Sequence, residues 1–138
     1  MLQPRTMNRY VLMLEDDTDD RYITNETLSE LGIDIPIKFL SNSREVFDFL
    51  SREEKPSLIL VDYNATPDNG IEVLKKLKAN DLHKDIPVVI LSDNNIPHYR
   101  NKCYEHGAAS FIKKPDTDNA TRQKIGTFFK YWFEVAEV

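Results

Sequence analysis

The sequence predicts an α/β fold, an open parallel sheet of five strands with helices wound onto both faces. Two observations carry that expectation. Five short apolar runs alternate with five helix-like stretches over 138 residues, and three of the runs are unbroken rather than alternating. Strands buried on both faces have this unbroken pattern, as parallel strands covered by helices must. Five βα units in series give an open sheet with right-handed crossovers.

The runs fall at residues 10–14, 37–40, 58–61, 88–91 and 110–112. The unbroken ones are Val11-Leu12-Met13-Leu14, Leu58-Ile59-Leu60-Val61 and Val88-Val89-Ile90-Leu91. Asn42 with Glu45 three residues later signals a helix start, after which Val46, Phe49 and Leu50 share one face. A second stripe, Ile71, Leu74 and Lys78 with Val73 and Leu77 alongside, follows Gly70. Gly32 and Gly107 stand where helices should stop, and Pro87 stands just before a strand. The helix expected between Ile96 and His106 has a sparse stripe of Ile96, Tyr99 and Cys103, so it should be loosely anchored. The last helix carries two stripes, Ile125, Phe129 and Trp132, and Phe128, Tyr131 and Val135. The second is either part of a wide core face or an exposed surface for self-association.

Bulk properties remove several function classes. A formal net charge of -5 argues against a nucleic-acid binder, which needs clustered Lys and Arg. The longest apolar runs are strand-sized, so no membrane span is expected. Lone Cys103 excludes an internal disulfide and fits a reducing cytoplasm. His83, His98 and His106 lack metal-ligand spacing. Residues 1–8 have no apolar segment behind their arginine and are expected to form a flexible leader, leaving 9–138 as one domain.

In open α/β sheets, ligands gather beyond the carboxyl ends of the strands. There the first strand is followed by Glu15-Asp16-Asp17, the third by Asp62, the fourth by Ser92 and the fifth by Lys113-Lys114-Pro115. Aspartates converging on one crevice repel each other unless a cation joins them. An all-oxygen donor set suits Mg²⁺. Any one of these acids alone would read as a solvated loop cap. Acid, hydroxyl and Lys-Pro at separate strand ends of one sheet say more.

Taken in order, these residues resemble the receiver domain of two-component response regulators, over roughly residues 10–133. The matches are Asp16 and Asp17 after the first strand, Asp62, Ser92, and Lys114 with Pro115. Gly107-Ala108 precedes Phe111, which matches the family's switch aromatic. The resemblance implies a flavodoxin-like (βα)5 sheet in the order 2-1-3-4-5. It also implies that Asp62 accepts a phosphoryl group with help from Ser92 and Lys114. Mg²⁺ would be held by Asp17, Asp62 and the Asn64 backbone carbonyl, with Asp16 acting through water. Glu15 is expected to point away from the crevice. Ser92 and Phe111 would move on phosphorylation.

The implied donor is a sensor histidine kinase or phosphotransfer protein. The implied output is a downstream protein partner, or a second copy through the last helix, with no output domain attached. Two features depart from the family pattern. Ala65-Thr66 stands where Met-Pro is common, and Asp93 stands where a small residue is usual. A haloacid-dehalogenase-type phosphatase is the main rival, because Asp62-Tyr63-Asn64-Ala65-Thr66 partly imitates its nucleophile motif. Asn64 cannot relay a proton at the acid/base position. A flavin binder would need a hydroxyl- and glycine-rich phosphate loop where Asp16-Asp17 stand.

Overall fold

Side-chain alternation along each strand explains why the runs are unbroken. In β1 (Val11–Leu14), Leu12 and Leu14 enter one core while Val11 and Met13 enter the other. In β3 (Leu58–Asp62), Ile59 and Val61 are likewise divided from Leu58 and Leu60. Both faces are covered, so both sets must be apolar. The computed structural model describes residues 9–94, 96–114 and 118–135. The expected leader, residues 1–8, lies outside the described residues.

The sheet has the order β2-β1-β3-β4-β5, all pairs parallel, with β2 at Ile37–Leu40, β4 at Val88–Ser92 and β5 at Ser110–Lys113. On one face lie α2 (Ser43–Arg52), α3 (Gly70–Ala79) and α4 (Pro97–Glu105), which supply Val46, Leu50, Val73, Leu74, Leu77 and Cys103 to the first core. On the other lie α1 (Thr18–Leu31) and α5 (Asp118–Lys130), which supply Leu28 and Phe129 to the second. Each fully buried Leu, Val, Ile or Phe contributes about 1.5–3 kcal/mol of transfer free energy.

The expected helix signals act as read. The Asn42 side chain accepts from the Glu45 backbone N–H. Gly32 closes α1 at φ 70°, and its N–H bonds back to Leu28 and Ser29. The α5 helix runs on into a π-helical turn, Tyr131–Val135. Its second stripe is largely drawn inward. Phe128 and Trp132 pack on the second core, while Tyr131 remains exposed. The Val135 side chain lies outside the described residues. Of the two alternatives for this helix, the wide core face describes most of it.

Candidate active site

The acceptor candidate Asp62 ends β3, paired in register with Leu91 of β4. Its Oδ1 accepts from the Asn64 backbone N–H at 3.0 Å, and its Oδ2 lies 3.5 Å from Lys114 Nζ. Lys114 follows β5, and its backbone N–H donates to the Ser92 carbonyl. From there Nζ donates to Glu15 Oε1 at 2.9 Å and lies 3.7 Å from Asp20 Oδ2. One ammonium therefore serves three carboxylates. Pro115 lies outside the described residues.

Glu15 corrects one sequence expectation. It faces into the crevice, not away, and its side chain is 2% exposed. Burying a carboxylate costs several kcal/mol unless it is paired and its lone pairs are met. Here Lys114 meets Oε1, and the Asp17 backbone N–H donates to Oε2 at 3.2 Å. Burial pushes the Glu15 pKa above its ordinary value, with Lys114 pulling the other way. For Lys114, burial works to lower the pKa, but Glu15, Asp62 and Asp20 outweigh it and hold the ammonium above its usual range.

Asp17 is the second correction. Its Oδ1 accepts from the backbone N–H groups of Asp19 (2.8 Å) and Asp20 (3.1 Å), so it is the N-cap of α1. The acids that do converge are Glu15, Asp16 and Asp62, each offering an oxygen within 4.8 Å of the others. Among the described residues, this cluster can hold a divalent cation. Glu15 and Asp16 belong to this cluster, and Asp17 is engaged at the start of α1. A cap signature was present, Asp17 ahead of Thr18-Asp19-Asp20, and it would have assigned Asp17 to the helix. Asp20 was also missed, since first-turn acids are ordinarily helix-dipole partners.

The loop after Asp62 is tightly held despite its Ala65-Thr66 departure. The Ala65 N–H donates to the Asp62 carbonyl, the Ser43 N–H to that of Thr66, and the Asp68 N–H to Ser43 Oγ. The Thr66–Pro67 peptide is cis. Asn69 and Glu72 form a complete capping box at the start of α3. A Cβ on Gly70 would lie 2.8 Å from Tyr63 Cα and 3.2 Å from the Asp62 carbonyl, so only glycine lets α3 start this close to the acceptor.

Ser92 is buried, and its hydroxyl donates to the Asn94 carbonyl at 2.8 Å and accepts the Asn94 N–H at 3.1 Å. It is thus engaged within its own loop. Phe111 is half-buried against the first core, and its N–H donates to the Tyr104 hydroxyl. Asp93 is exposed at the rim, where its charge raises the pKa of Asp20 behind the larger effect of burial.

Comparison with known proteins agrees with this geometry. A family model described as "Response regulator receiver domain" matches residues 11–126. The two-component response regulator ORR5 of Oryza sativa subsp. japonica is 32% identical over 106 residues, covering 77% of this chain and 78% of that protein. For ORR7 of Oryza sativa subsp. indica the identity is also 32%, but the match spans only 48% of that longer protein. The structure of the Mn²⁺-bound form of response regulator Rcp1 superposes with a TM-score of 0.87 at 25% identity, covering 94% of this chain and 98% of that one. A response regulator from Hahella chejuensis gives 0.85 at 26% identity, covering 94% and 98%. With the match spanning most of the chain and an acidic cluster, a hydroxyl and a lysine gathered at its sheet end, this protein belongs to the response regulator receiver domain family.

Proposed function

We propose that the chain is a phospho-accepting switch whose acceptor is Asp62 and whose resident cation is Mg²⁺. One carboxylate oxygen of Asp62 attacks the donor phosphorus, the bond from phosphorus to the leaving group breaks, and an aspartyl phosphate results. The leaving group is a phosphotransfer histidine, or acetate when acetyl phosphate is the donor. The observation that carries this reading is the convergence of Lys114, Glu15, Asp16 and Asp62, from the ends of three strands, at one edge of the sheet. Catalysis there is positioning and charge neutralisation.

The donor set is all oxygen, which fits a hard divalent cation. Asp16, Asp62 and the Asn64 backbone carbonyl would hold it, with Glu15 beside them, and it would neutralise charge on the phosphoryl oxygens. Lys114 brings a point cation to the same oxygens. Ser92 would leave Asn94 to bond the new phosphoryl group, with Phe111 moving toward the space vacated. Donor and receiver partners would be a histidine kinase or phosphotransfer protein and a downstream protein. A second copy docking through the exposed side of the turn that extends α5, at Tyr131, belongs to the same reading. So does a cytoplasmic location, supported by the free thiol of Cys103. Among the described residues, no helix is long and apolar enough to cross a membrane.

Intact mass after incubation with acetyl phosphate and Mg²⁺ tests the acceptor. Wild type should gain one phosphoryl group and Asp62→Asn none; equal gain in both refutes it. In a Mg²⁺ titration, Asp16→Asn should weaken binding at least tenfold and Asp17→Asn little. The reverse order would restore the ligand set first expected from the sequence.

A further inference from the structure

We infer that Asp20 is a positioning residue that holds Lys114 back in the resting site and so restrains phosphorylation. The inference rests on the acceptor reading above. Asp20 lies in the first turn of α1, where an acid commonly serves only the helix dipole. Asp19 beside it is exposed and fills that role. Asp20 is half-buried, and burial raises its pKa, so its placement opposes its charge. Its carboxylate instead lies 3.7 Å from Lys114 Nζ.

The local sequence fixes that direction. Asp17 accepts the Asp20 N–H at 3.1 Å, and Thr24 Oγ1 donates to the Asp20 carbonyl at 2.8 Å. The backbone at Asp20 is therefore tied at both ends, leaving its side chain to reach the lysine. Lys114 has three N–H donors and, at rest, three carboxylates around it. A phosphoryl group on Asp62 offers new oxygens for the same donors and about two negative charges. Lys114 must then shift toward those oxygens, and Asp20 is the one carboxylate of the three outside the Glu15, Asp16 and Asp62 cluster. Its pull competes with the phosphoryl group for one ammonium.

Removing the charge should release the lysine. Asp20→Asn should be phosphorylated by acetyl phosphate about 3- to 10-fold faster and bind beryllofluoride, an acyl-phosphate mimic, more tightly by a similar factor. Asp20→Glu should restore wild-type values, since charge rather than shape is at work. In a Lys114→Ala background the Asp20→Asn effect should fall below twofold, because the competition needs the lysine. In metal-free protein, exchange of the Lys114 ammonium protons with water, read by ¹⁵N NMR, should quicken in Asp20→Asn. An equal acceleration in both backgrounds would show simple repulsion of the donor and overturn the inference, as would an unchanged or slower rate. Failure of wild type itself to gain a phosphoryl group would instead defeat the acceptor reading.

Discussion

Two neighbouring helices, α3 and α4, each follow a strand that ends in a site residue, and they are built differently. α3 begins with a complete capping box and buries Val73, Leu74 and Leu77. α4 has Ile96 at its N-cap position, with no side-chain cap, and buries only Cys103. At about 1.5–3 kcal/mol per fully buried aliphatic side chain, that is a difference of several kcal/mol in anchoring. The loop before α3 is pinned to α2 through Ser43. The loop before α4 holds Ser92 by the two bonds to Asn94, and a stack of Tyr63 on Tyr99 at 4.8 Å links α4 back to the acceptor loop. The acceptor thus sits on the firm side, and the softer side is free to respond. Low-stability elements are where switching segments are drawn from.

The firm side is broken most severely at Gly70. Gly70→Ala forces a Cβ against the backbone of Tyr63 and Asp62. Denaturant unfolding should show a loss of about 1–3 kcal/mol, and phosphorylation read by intact mass should slow at least tenfold. On the soft side, Asp93 is exposed at the rim of the site. Asp93→Ala should speed phosphorylation by acetyl phosphate roughly 3–10-fold, equivalent to about 0.7–1.4 kcal/mol in the barrier. Equal rates would place its role elsewhere, for instance in meeting a basic residue of the kinase, in which case the variant should be slower with the kinase alone.

The caps sharpen the contrast. Asn69→Ala removes an existing cap and should cost about 1 kcal/mol, whereas Ile96→Ser supplies a missing one and should gain about 0.5 kcal/mol. Chemical denaturation measures both, and equal losses would mean that α4 is capped by other means. A smaller effect concerns Cys103, whose thiol is pushed by burial from 9.0 to about 11. A raised pKa means that the fold favours the neutral thiol. Stability from this group is therefore full below about pH 9 and is lost as pH rises toward about 11. Disulfide-exchange labelling should proceed only through opening of α4, and its rate should level off near the thiol's ordinary pKa. A rate that keeps climbing to pH 11 would mean direct attack on the native thiol.

The sequence carried most of the fold because the apolar runs are short and evenly interleaved with helical patterns, and three of the five are unbroken. Strand limits moved by only a residue, as at β3, where Asp62 itself joins the ladder. Asp62, Ser92 and Lys114 were legible for the same reason: each stands at a strand end. The register of the acidic pair was not. Glu15, Asp16 and Asp17 are three acids in a row at a strand-to-helix turn, where direction reverses from one residue to the next. Only the hydrogen bonds that commit Asp17 to α1 and Glu15 to Lys114 decide between them. Asp20 was hidden because its partner lies far away in sequence.

The central claim is that a phosphoryl group on Asp62 is fixed by the firm side and felt on the soft one. Hydrogen exchange by mass spectrometry, with Mg²⁺ alone and with Mg²⁺ plus beryllofluoride, tests it most directly. A clear change in exchange is expected across Pro97–Glu105 and the Phe111 strand, with Gly70–Ala79 unchanged. A change confined to Gly70–Ala79, or the same protection in both states throughout, would contradict it.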